Sequence, residues 1–186
     1  MTALDTAFAA RWSAAMTDTL TGLLDVFEDR FGYPPGDNLL TPAATGTDLT
    51  MLADVLTDLN LDDDLLTLYQ VTDEVSLPDI GNGYFIHPPD HVVTTRRVRE
   101  PGAIAGDPPT EVVVFGSDGG GTSYALTGAA GPRVVRLPSS AIVGGTYTPP
   151  QGWSRYGPAA EDLREFLTRM HDGLVRFASC GEVIDL

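Results

Sequence analysis

Lysine does not occur in this chain: all eleven cationic side chains are arginine, and they face 26 Asp and Glu residues. The resulting formal net charge of -15 repels nucleic acid and anionic membranes and favours basic partners, so neither DNA, RNA nor a membrane surface is expected as a ligand. Cysteine is nearly absent as well. Cys180 stands alone, which excludes an intrachain disulfide framework and removes any need for an oxidising compartment. Long apolar runs are missing too, and no window approaches the length of a membrane span. The first ten residues hold Asp5 and no basic side chain, unlike a signal peptide, so a cytoplasmic protein is the simplest expectation.

What is present is ordinary for a globular protein. The 186 residues are 42% hydrophobic, enough for one domain with a sizeable core rather than a disordered chain. The acidity is concentrated: residues 1–80 carry 15 acids against Arg11 and Arg30, a balance of -13, whereas residues 81–186 balance at -2.

Apolar periodicity organises both ends of the chain. Leu4, Phe8, Trp12, Met16, Leu20, Leu23, Leu24, Phe27 and Phe31 recur at steps of three and four, which predicts one amphipathic helix over 4–31, closed by Gly32 and the Pro34-Pro35-Gly36 turn. A loop is expected through residues 42–46. Thr47 or Thr50 can cap a second helix with Met51, Leu52, Val55, Leu56 and Leu59 inward and Asp48, Asp54 and Asp58 outward, ending near Asn60. A short third helix starts at Asp62-Asp63-Asp64, where carboxylates complement the positive end of the helix dipole, and turns Leu65, Leu68 and Tyr69 inward. The last helix follows residue 159, with Leu163, Phe166, Leu167, Met170, Leu174 and Phe177 on one side.

Between the helices the pattern is that of strands and turns. Tyr84 to His87 forms a short strand after a Gly81-Asn82-Gly83 turn and stops at Pro88-Pro89. Residues 91–98 are read as a strand or turn, and 100–109 as a mobile surface loop. VVVFGSDGGGTSYAL, residues 112–126, reads as a β-hairpin with its tip at residues 116–121, and a second turn at 128–132 leads to a third strand at 133–137. The three make an antiparallel meander. Residues 139–158 are irregular, with Trp153 and Tyr156 expected to pack back onto the body of the protein.

Each feature that could carry chemistry has a plainer reading. The tip Ser117-Asp118-Gly119-Gly120-Gly121 could cradle a phosphate or a cation, but a P-loop needs a Lys and a following helix, and a calcium loop needs several alternating carboxylates. It is read as a structural turn. His87 and His91 flank two prolines that are expected to forbid a helix, so they are read as exposed loop histidines rather than metal ligands. Three consecutive acids at 62–64 point in different directions on a helix and do not converge on one ion. Neither Ser117, Ser139 and Ser140 nor Cys180 sits in a nucleophile motif. No catalytic residue, metal or cofactor is therefore predicted.

Several of these pieces share one likeness. FGSDGGGTSYAL, residues 115–126, resembles the glycine-rich hairpin of the SUKH superfamily, which includes fungal cell-wall assembly regulators and many bacterial toxin-immunity proteins. LDDDLLTLY at 61–69 looks like that family's short helix before the sheet, Asn82-Gly83-Tyr84 is similar to its Asn-Gly approach to the first strand, and DLREFL at 162–167 resembles its closing helix. The likeness spans roughly residues 50–170. The chain departs from the pattern where Leu77-Pro78 lies close to Asn82-Gly83, and in the length of its first helix.

The resemblance implies an α+β fold, with N-terminal helices, an antiparallel meander and a closing C-terminal helix, in a single domain over 1–186. Residues 1–46 would form an N-terminal helix and loop extension and residues 47–178 the core. It also implies a non-enzymatic protein-binding domain, foremost an immunity protein that neutralises a cognate toxin, for instance a nuclease. The alternatives are a regulatory scaffold or secretion-associated adaptor with the same fold, and a small-molecule-binding domain. A nuclease carries a basic surface, which an acidic inhibitor can reach quickly and occupy. The densest acidic cluster, Asp54, Asp58, Asp62, Asp63 and Asp64, is the expected partner-binding surface.

Overall fold

The computed structural model describes residues 3–98, 101–128, 133–150, 156–184 and 186. The expected second turn at 128–132 and the packing of Trp153 fall largely or wholly outside them.

Asp5 caps the first helix, its carboxylate accepting from the Phe8 amide at 2.8 Å, and α1 (Thr6–Leu24) buries Ala9, Trp12, Met16, Leu20 and Leu23. The predicted single helix is in fact two. Val26 leaves helical geometry (φ -119°, ψ 4°), and α2 (Phe27–Phe31) restarts after it. The break keeps Phe27 fully buried and lets Phe31 stack on Phe177, with ring centres 5.2 Å apart. Gly32, in the left-handed region at φ 79°, ends α2 as expected.

A strand that the sequence did not suggest precedes the expected loop and takes in its first residue: β1 (Leu39–Pro42) pairs antiparallel with β2 (Thr72–Leu77). Next, α3 (Thr50–Asp58) buries Leu52 and Leu56 but leaves Met51 exposed, contrary to the predicted stripe. Its start is held by Asp48, whose carboxylate accepts from the Thr50 amide at 2.9 Å, rather than by a threonine cap. Asn60 adopts φ 51° just beyond the helix, as its position suggested. A short helix, α4 (Asp64–Tyr69), and β3 (Tyr84–Ile86) follow.

The segment predicted as strand or turn after the double proline is the helix α5 (Pro89–Val98). Proline at the first helical position costs no hydrogen bond, because that amide has no partner within a helix anyway, so Pro88-Pro89 starts α5 rather than forbidding it. Beyond it lie β4 (Ala103–Ile104), β5 (Thr110–Asp118), β6 (Ser123–Thr127), β7 (Val134–Leu137), β8 (Ile142–Val143), β9 (Thr146–Tyr147), β10 (Gly157–Ala160) and α6 (Leu163–Cys180). The supposed surface loop at 100–109 thus contributes β4, and the irregular stretch contributes three short strands. Tyr156 stays exposed, with its ring 6.0 Å from that of Tyr147 in β9. Ala159 and Ala160 belong to β10, so the last helix begins at Leu163, where Asp162 accepts from the Glu165 amide at 2.9 Å.

The main sheet runs β1-β2-β3-β5-β6-β7-β10 and is antiparallel throughout, with the predicted meander β5-β6-β7 at its centre. Along the β5 edge that faces away from β6, β3 pairs with residues 116–118 and β4 with residues 110 and 111; β4 continues to β9 in parallel and then to β8. This is an α+β fold. Alternation along β5 explains why the strand is buried on both faces: Val113 and Phe115 join the core under the helices, and Val112 and Val114 join a smaller cluster with Ile104 and Tyr147. Trp12 donates its indole N–H to the Leu167 carbonyl at 2.7 Å, tying α1 to α6, and Phe166 meets Phe115 edge-on at 5.3 Å.

Candidate functional site

The five acids expected to form one surface divide three ways. Asp54 and Asp58 lie one turn apart on the exposed face of α3, and Asp63 is exposed just before α4. Asp62 is also exposed but pairs with Arg133 next to β7. Asp64 is buried and its carboxylate accepts from the Leu4 amide at 2.8 Å, joining the start of α4 to the segment before α1. Burial raises the Asp64 pKa above the ordinary Asp value, and the Leu4 hydrogen bond only partly opposes that shift. Asp64 therefore holds structure together and does not belong to the acidic surface. Among the described residues Asp54, Asp58 and Asp63 have no salt-bridge partner.

The glycine tip is built as a turn, though the strand before it runs three residues further than its sequence suggests. Strand β5 continues through Ser117 and Asp118, with a bulge at Phe115 that shifts its register against β6. One Asp118 carboxylate oxygen accepts from the amides of Gly120 (2.9 Å) and Thr122 (2.7 Å), and Gly121 takes φ 86°. The tip also packs. A Cβ on Gly119 would run into the carbonyl oxygen of Asn82, so glycine there lets the hairpin lie against the β2–β3 turn.

The two histidines are not independent loop residues. Pro89 and α5 bring His91 over His87 with ring centres 4.6 Å apart, and His87 is half-buried. Burial, with the nearby His91, lowers the His87 pKa to about 4, so its ring is neutral at physiological pH. Among the described residues no group of three or more His, Cys, Asp or Glu side chains is placed to hold a metal ion. On α6, His171 faces α1, its Nε2 lying 3.3 Å from the Thr19 hydroxyl.

Beside the hairpin tip lies a small cleft of about 100 Å³, lined by Asn82, Tyr84, Asp118, Thr122, Tyr124, Arg136, Val183 and Leu186. Most of this set escaped sequence reasoning. Strand register assembles it: Tyr84 stands opposite Asp118, and Tyr124 opposite Arg136, on four adjacent strands. The signal available in the sequence was Arg136, a charge within the apolar strand VVRL. No described helix is long and apolar enough to cross a membrane.

The fold and these two sites define an α+β domain with an acidic helical face and a small polar cleft at one end of its sheet. No protein-family model matches the chain, and no curated protein matches it.

Proposed function

We propose that this chain is a non-enzymatic protein-binding domain of the SUKH type, and that it acts in the bacterial cytoplasm as an immunity protein against a basic toxin. The observation that carries the proposal is the exposed, unneutralised acid at Asp54, Asp58 and Asp63, within a half-chain whose charge balance is -13. Such a surface raises the encounter rate with a cationic partner and disfavours anionic competitors. Asp62, exposed but shared with Arg133, stands at its edge.

Capture of the native partner on the immobilised chain tests the reading. The expected outcome is a basic toxin domain whose activity is lost in the complex, with binding weakened by Asp54→Arg and Asp58→Arg. A neutral or acidic partner, or one bound equally well by the double variant, would overturn the assignment of the surface. A basic partner without toxic activity would instead place the chain among regulatory adaptors of the same fold.

A further inference from the structure

The exposed face of α3, which carries Asp54 and Asp58, has a groove beside it. The space lies between the start of α3 and α4, measures about 510 Å³, and is lined on its apolar side by Leu49, Ala53 and Leu66. Each of the three is half-buried, and Leu49 and Leu66 also pack against the core, so the lining is held from behind. Helical geometry places it there. Successive side chains on a helix are about 100° apart, so Ala53 sits between the buried Leu52 and the exposed Asp54, at the edge of the inward face. A longer side chain at that edge would fill the groove.

Charge around the groove has one sign. Residues 46–70 supply the whole lining and contain Asp48, Asp54, Asp58, Asp62, Asp63 and Asp64 but no arginine. Asp48 stands in the lining itself, exposed and without a salt-bridge partner among the described residues. Hydrogen bonds from the Thr50 hydroxyl and amide hold its pKa below the ordinary Asp value, so it stays ionised.

These features select the occupant. A purely apolar group would leave the carboxylate unpaired, and a compact cation would leave Leu49, Ala53 and Leu66 in contact with water. A long aliphatic stem that ends in a positive charge satisfies both. Arginine fits better than lysine, because its guanidinium is more weakly hydrated and can bind a carboxylate through two parallel hydrogen bonds.

We infer that this groove anchors the partner by taking an arginine side chain from its basic surface, with the stem along Leu49, Ala53 and Leu66 and the guanidinium on Asp48. The inference rests on the protein-binding reading and adds to it the point at which the partner is held, as distinct from the exposed acids that draw it in.

Nuclear magnetic resonance titration of the full chain with three short peptides tests the inference. One alternates arginine with alanine. The second replaces arginine by citrulline, which keeps the stem without the charge, and the third by diaminobutyrate, which keeps a charge on a shorter stem. The arginine peptide should saturate, with amide shifts centred on residues 46–53 and 66–70, and should bind at least about tenfold more tightly than either control. Ala53→Gln fills the groove and leaves every acid in place, and should weaken the arginine peptide by about tenfold. Asp48→Asn keeps an oxygen for the Thr50 amide and should weaken it as well, so it serves even if Ala53→Gln disturbs α3. Equal affinity for the arginine and diaminobutyrate peptides, unchanged affinity in both variants, shifts centred elsewhere, or no saturation would overturn the groove as the anchor. None of these results bears on the charge or toxicity of the native partner, by which the protein-binding reading stands or falls.

Discussion

Single residues reveal themselves most clearly where a charge or ring has left water. The buried Asp64 carboxylate is compensated by one backbone hydrogen bond, from Leu4, and its raised pKa means that it takes up a proton more readily in the folded protein than in the unfolded chain. The stability it contributes is fully present below the unfolded pKa, close to 3.8, and is lost as pH rises through the higher folded value. Asp64→Asn removes the buried charge and keeps an acceptor for Leu4, so at pH 7 it should be at least as stable as the parent. Asp64→Ala strands the Leu4 amide and should cost about 1–3 kcal/mol. Urea denaturation of both variants checks this, and an Asn variant as damaged as the Ala variant would contradict the account. His87 has the opposite linkage. Its folded pKa of about 4 lies below the ordinary histidine value of 6.5, so its contribution is present above pH 6.5 and is lost as pH falls toward 4. Between pH 7 and pH 4.5 the parent should therefore lose more stability than His87→Gln, as read from the denaturation midpoints at the two pH values.

At the scale of elements, the same residue type has opposite roles according to its neighbours. Gly22 lies within α1, where an added Cβ would meet nothing within 4 Å, so Gly22→Ala should stabilise the protein by about 0.5–1 kcal/mol through helix propensity. Gly119→Ala should do the reverse, by roughly 1–3 kcal/mol, because the hairpin would have to lift from the Asn82 carbonyl. Thermal denaturation of the pair separates the two effects, and a neutral Gly119→Ala would show that the tip does not pack as described. This contrast also shows what the sequence could reveal. Helices α1 and α6 were legible because their apolar spacing records contact with a broad core, and the β5-β6-β7 meander because its strands alternate or run fully apolar between glycine turns. The strands β1, β4, β8, β9 and β10 were not, since two to four residues hold no period and their identity comes from the strand they pair with. The α1–α2 break was hidden because Phe27 and Phe31 keep helical spacing across it. At the acidic site, charge density was legible but burial was not. Asp64 looks like Asp62 and Asp63 in the sequence and is set apart from them by its burial against the Leu4 amide. At the cleft, Asp118 was noticed for its place in the turn, whereas Arg136 and Tyr84 are brought to it by strand register.

Over the whole molecule, charge is the quantity that the fold has not balanced. The described salt bridges tie Asp5 and Asp62 of the acidic half to Arg164 and Arg133 of the near-neutral half, but Asp54, Asp58 and Asp63 remain exposed without such a partner. Exposed like charges repel within about a Debye length, roughly 10 Å at 0.1 M salt, so part of the folding free energy is opposed by the acidic half itself. Raising sodium chloride from low to physiological concentration should therefore raise the melting temperature of the parent. Asp54→Arg combined with Asp58→Arg reverses two exposed charges without disturbing buried contacts, and should flatten that salt dependence while leaving stability at high salt within about 0.5 kcal/mol of the parent. The same double variant should associate more slowly with a basic partner at low salt, and its rate should depend less on ionic strength. Replacing Asp64 as well would confound the experiment, because that residue supports the start of α4. If the double variant keeps the parent's salt-dependent melting and its association rate, the acidic face of α3 neither strains the fold nor steers the partner, and the interface must be sought on another face of the protein.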